Sequence, residues 1–78
     1  MSARESVNDV DRIIGRRVFN RRRELRLSEE ALAHLLTVSV SEVRAIEEGR
    51  AKIYASTLFL ISTALGASIR DLLPTSLN

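Results

Sequence analysis

The sequence predicts an all-α domain of five short helices. Three observations carry the prediction. Apolar residues recur at three- and four-residue spacing, and no stretch alternates as a half-buried strand would. Serines stand where helices would begin, at Ser28, Ser39, Ser56 and Ser68, and glycines where they would end, at Gly49 and Gly66. The connections left between these signals are short, with little room for a strand.

The first helix is expected from Asp9 to Leu25, with Val10, Ile14, Val18 and Leu25 on one face, and residues 1–8 form a polar, flexible arm before it. Ser28 opens the second helix, "SEEALAHLL", whose Leu32, Leu35 and Leu36 point inward. Its Glu29 and Glu30 sit at the positive end of the helix dipole. Ser39 and Glu42 have capping-box spacing, which starts a third helix that buries Val43 and Ile46 and stops at Gly49. After the cationic loop "RAKIYAS", Ser56 is the expected cap of a fourth helix, "TLFLISTAL", closed by Gly66. Ser68 and Asp71 form a second capping box for "IRDLL", ended by Pro74. The domain is therefore expected over residues 9–74, with 75–78 as a tail.

Composition narrows the function. The 78 residues contain no cysteine, which excludes disulfides and thiolate metal sites. No apolar run reaches the roughly 18 residues that span a bilayer, and the expectation is a cytoplasmic protein with no membrane partner. His34 is the one histidine and has neither a cysteine nor a spaced carboxylate pair to work with, so catalysis is not expected. With neither a glycine-rich phosphate loop nor a metal-ligand cluster, no cofactor or metal is implied. The net charge of +2 divides unevenly. Residues 1–26 carry eight arginines against four acids (+4), residues 27–49 one arginine against five (−4), and residues 50–78 three cations against one acid (+2).

Two helices joined by a turn of about four residues within five helices point to a helix-turn-helix. The residues go further. "IGRRV" at 14–18, "LS" at 27–28, "LA" at 32–33 and "VS" at 38–39 come first, then Val43, Ile46, Glu47 and Gly49. "AS-T-L" from Ala55, Ile61, Leu65 and "IRDLLP" complete an ordered set. Together these resemble the Cro/C1-type (XRE) family of bacterial and phage repressors, over roughly residues 13–74. The resemblance implies a lambda-repressor-like domain whose second helix crosses the DNA backbone while the third enters the major groove. It also implies a structural ion pair between Arg22 and Glu47. The corresponding activity is that of a sequence-specific regulator, a repressor, binding a palindromic site on double-stranded DNA as a homodimer. A protein-interaction or antitoxin-like module that keeps the fold with weakened DNA readout is the alternative, with a protein partner in place of the operator.

Several residues depart from the family pattern. Glu29 stands where Gln commonly holds a phosphate, Val40 and Ala45 where polar readers are frequent, and Arg26 where Gly is favoured. Direct readout needs donors such as a bidentate arginine on guanine. The expected base contacts are therefore Arg44, Ser41 and, through a thymine methyl group, Val40. For Arg44 the competing role is a salt bridge to Glu47 or Glu48, and for Glu42 it is capping. Ser28, Ser39, Arg50, Lys52 and Arg17 are the expected backbone contacts, since flanking cations grip phosphates without reading sequence. Phe59 and Leu60 fall outside the core stripe of the fourth helix and, with Leu72 and Leu73, are the expected dimer interface. Phe19, Ile53 and Tyr54 fit either core or contact.

Overall fold

A computed structural model describes residues 7–74, and all regular structure among them is helical: α1 Asp9–Glu24, α2 Glu29–Leu36, α3 Val40–Glu47, α4 Ala55–Leu65 and α5 Ile69–Leu72. Each boundary has a chemical cause. Asn8 caps α1 in a reciprocal box with Asp11, so it belongs to the helix and not to the arm expected over residues 1–8; the rest of that arm before Val7, and the tail 75–78, lie outside the described residues. The Ser28 hydroxyl accepts from the Ala31 amide. The Ser68–Asp71 box is complete. At Ser39 the serine accepts from the Glu42 amide, but the reciprocal glutamate bond is not made and Glu42 stays exposed.

The expected cap at Ser56 is displaced. α4 starts two residues earlier, after Tyr54, without a side-chain cap. Tertiary packing sets that start, because Ile53 is drawn into the core and the chain turns helical directly behind it. Gly49 and Gly66 do hold left-handed backbone just past α3 and α4. Arg26 and Thr37 hold the same geometry without being glycine, between α1 and α2 and between α2 and α3.

The core is formed by Ile14 and Val18 of α1, Leu32 and Leu36 of α2, Val43 and Ile46 of α3, Leu58, Ile61 and Leu65 of α4, and Leu72 of α5. Three expected inward residues are exposed: Val10, Leu25 and Leu35. Val10 and Leu25, at the two ends of α1, are left in solvent while their neighbours Asp11 and Arg22 are buried, and Leu35 is exposed beside the buried Leu32 and Leu36. Leu72 is the opposite case. Expected at an interface, it is 2% exposed and completes the core. Leu73 is half-buried against the same core.

α1 presses closely on α3. A methyl group on Gly15 would lie 2.1 Å from the carbonyl oxygen of Ile46, so the two backbones can meet only because this residue has no side chain. Further along α1, Arg21 Nε donates to the Leu65 carbonyl at the end of α4 (3.1 Å), and Arg17 Nη1 donates to the Leu73 carbonyl after α5 (2.5 Å). Two arginines of the basic helix thus satisfy carbonyls that the ends of α4 and α5 leave open.

Candidate nucleic-acid interface

The connection between α2 and α3 is three residues long. Thr37 takes left-handed backbone (φ 60°, ψ 44°), the Val38 amide donates to the Ala33 carbonyl (3.0 Å), and the Val38 side chain packs on the core. Ser39 then caps α3. This tight turn redirects the chain between α2 and α3, as a helix-turn-helix requires.

One edge of α3 faces solvent. Val43 and Ile46 enter the core, while Ser41, Glu42 and Arg44 are exposed. Val40 is half-buried and packs against the core, so it is less of an outward residue than the sequence implied. The hydroxyls of Ser28 and Ser39 each use a lone pair to cap a helix. A capping hydroxyl still has its proton to donate to an incoming acceptor.

Behind this edge lies a charge network. Arg22, at the end of α1, holds Glu47 of α3 through two bonds, Nε to Oε2 at 2.6 Å and Nη2 to Oε1 at 3.0 Å, and Nη1 donates to the Leu27 carbonyl at 2.8 Å. Both side chains are buried. The hydrogen bond to Glu47 holds the guanidinium's pKa above its ordinary value, outweighing the desolvation that would lower it. The pair locks α1, α3 and the α1–α2 turn into one unit.

Arg44 pairs with neither Glu47 nor Glu48. Its Nε donates to Glu29 Oε1 at 3.0 Å, across the gap from α3 to the first turn of α2. Both line an open groove with Arg16, Phe19, Asn20 and Glu48. The Phe19 ring lies under the guanidinium groups of Arg22 and Arg23, at 5.4 and 5.5 Å, and is half open to solvent. The flanking cations are engaged too. Arg50 pairs with Glu48 at 2.8 Å with both groups exposed, and Lys52 lies 3.7 Å from the buried Asp11. Arg17, expected at the DNA backbone, instead serves the end of α5. His34 is exposed on α2.

Asp11 is the residue that sequence reasoning missed. It is 2% exposed, and its carboxylate accepts from the amides of Asn8 and Ile53, both at 3.0 Å, while facing Lys52. It thereby pins the loop after α3 to the start of α1. With Asp11 and Ile53 separated by 42 positions in the chain, no local pattern announces the contact. The Glu29–Arg44 contact was likewise unforeseen, although Glu29 stood out as a departure. Among the described residues, no group of histidine or carboxylate side chains has the arrangement of a metal site, and no helix is long and apolar enough to cross a membrane.

Comparison with known proteins agrees with this architecture. A helix-turn-helix family model matches residues 19–72. The chain is 39% identical over 64 residues to an uncharacterized transcriptional regulator in the ATPase CF(0) region of Rhodospirillum rubrum, covering 82% of this chain and 59% of that relative's length. It is similar to the crystal structure of the restriction-modification controller protein C.AhdI from Aeromonas hydrophila (TM-score 0.75, 29% identity, 80% of this chain and 94% of that one). A second similar structure is the clp gene regulator ClgR from C. glutamicum (TM-score 0.79, 25% identity, 83% and 84%). The fold also recurs within hydroxypropylphosphonic acid epoxidase from S. wedmorenis (TM-score 0.77, 26% identity), where it covers 91% of this chain but 36% of that enzyme. With the three-residue turn between α2 and α3 and the exposed edge of α3, the family model matching residues 19–72 shows that the chain belongs to the Cro/C1-type (XRE) helix-turn-helix family.

Proposed function

We propose that this chain is a sequence-specific DNA-binding transcriptional regulator, a repressor that occupies a palindromic site as a homodimer. The observation that carries the reading is the solvent-facing edge of α3, with Ser41 and Arg44 exposed beside the two capping serines, Ser28 and Ser39. Arg44 donates to a guanine edge, Ser41 makes a single hydrogen bond to a base, and the exposed part of Val40 meets a thymine methyl group. Ser28, Ser39, Arg50 and Lys52 hold phosphates. Releasing Arg50 from Glu48 costs little, because exposed pairs contribute only ~0–1 kcal/mol.

The doubling surface is the outer side of α4, where Phe59 is 60% and Leu60 50% exposed. Two neighbouring large apolar side chains left in solvent on so small a domain are the signature of an interface. A two-fold dimer would set its reading helices about 34–36 Å apart, one turn of duplex.

The test is selection of bound duplexes from a random pool, with sedimentation equilibrium on the free protein. A palindromic consensus and a dimer whose affinity falls in Phe59→Arg support the proposal. Arg44→Ala should cost ~1–3 kcal/mol at one position per half-site, and Lys52→Ala should weaken all sequences alike. Binding without sequence preference would sink the specific reading. One observation favours a protein partner instead: the cations on and just after α3 (Arg44, Arg50 and Lys52) are each paired with a carboxylate. Capture of a protein on the α3 face that DNA does not displace would mark that alternative.

A further inference from the structure

We infer that Glu29 is a specificity-determining residue, which buttresses Arg44 for base reading and keeps it off the phosphates. The inference rests on the reading of Arg44 as a base contact and deepens it.

The Glu29 carboxylate takes Arg44 through Nε, the inner donor of the guanidinium (3.0 Å). Nη1 and Nη2, the outer fork that matches the acceptor pair on guanine, have no hydrogen bond among the described residues. The two partners also differ in exposure. The glutamate side chain is 29% exposed on the first turn of α2, whereas the arginine is 55% exposed. The less exposed group holds the inner donor of the more exposed one, and the outer fork is left without a protein hydrogen bond among the described residues.

Two consequences follow from charge and geometry. First, a carboxylate at the start of α2 repels phosphate and neutralises Arg44, so it lowers affinity for every duplex alike. Second, it weakens the arginine's alternative. An untethered arginine facing a wrong base can swing to a backbone phosphate and recover part of the lost energy. A tethered one must first give up its bond to Glu29, so it recovers less when the base is wrong. Glu29 therefore trades affinity for discrimination.

The two effects separate in Glu29→Gln and Glu29→Ala. Glutamine removes the charge and keeps an oxygen acceptor for Nε, while alanine removes both. Affinity for unrelated duplex should rise in both variants, and the salt dependence should steepen by about one phosphate equivalent, near 0.9 in log–log slope. Discrimination at the base position that Arg44→Ala abolishes should fall about two- to tenfold in Glu29→Ala, the factor expected from freeing one long side chain, and by less in Glu29→Gln. A residue that merely stabilised α2 would shift the melting curve without this order of discrimination. If both variants gain affinity equally while wild-type discrimination persists in Glu29→Ala, the buttress is overturned and simple repulsion remains. If the wild-type protein shows no base preference, the parent reading fails and this inference fails with it.

Discussion

Replacing Gly15 with alanine sets two effects of opposite sign against each other, and the structure decides which wins. Gly15 lies inside α1, where alanine is favoured by ~1 kcal/mol on helix propensity. On propensity alone the variant should be more stable. The added methyl, however, would sit 2.1 Å from the Ile46 carbonyl oxygen, 3.2 Å from its carbon and 3.4 Å from the Glu47 oxygen. These are backbone atoms at the end of α3 and cannot rotate away. The helices must separate by roughly 1 Å, a gap that forfeits a quarter to a half of each dispersion contact along the seam. Ile14, Val18, Val43 and Ile46 pack in this core, and forced overpacking costs ~1–3 kcal/mol or more. The 2.1 Å approach to backbone puts the cost near the top of that range, ~3 kcal/mol, and subtracting the propensity gain of ~1 kcal/mol leaves a net destabilisation of ~2 kcal/mol, with a fall in melting temperature of about 4–8 °C for each kcal/mol in a domain of this size. Urea and thermal unfolding followed by circular dichroism would measure it. A Gly15→Ala variant as stable as wild type, or more so, would refute the argued contact between α1 and α3.

The remaining predictions use the same observables. Arg22→Ala leaves Glu47 charged and buried and the Leu27 carbonyl without its donor, so it should cost ~3–5 kcal/mol and remove DNA binding through loss of the fold; circular dichroism alone would reveal an unfolded chain. Asp11→Ala strands the Ile53 amide, which should cost ~1–3 kcal/mol. It also unpins Lys52, visible as faster amide exchange over residues 50–53, and unchanged exchange would argue against the latch. Thr37→Gly removes a β-branched residue from left-handed backbone, a strain of ~1–2 kcal/mol, against an entropic loss of ~0.5–1 kcal/mol for glycine. A gain of roughly 0.5–1 kcal/mol in urea unfolding is expected.

Helix number, type and most boundaries were legible in the 78 residues because they depend on neighbours in the chain. Ser28, Ser39, Ser68, Gly49 and Gly66 act within three or four residues, and the apolar spacing of α2, α3 and α4 names most of the core. The Arg22–Glu47 lock was legible only through family resemblance. What the tertiary structure decided are contacts between residues far apart in the chain: Gly15 against Ile46, Asp11 beneath Ile53, and Arg17 at the end of α5 instead of at a DNA backbone. Leu72 and Leu35 illustrate the same limit. Both are leucines on short helices, and which one is buried depends on what the neighbouring helices leave uncovered. The clearest case is Glu29. Sequence marks it as an acid where phosphate is expected, but only the approach of α3 to the first turn of α2 gives it Arg44 as a partner, because an ion pair needs the two charges within about 4 Å and 15 residues of chain cannot specify that distance.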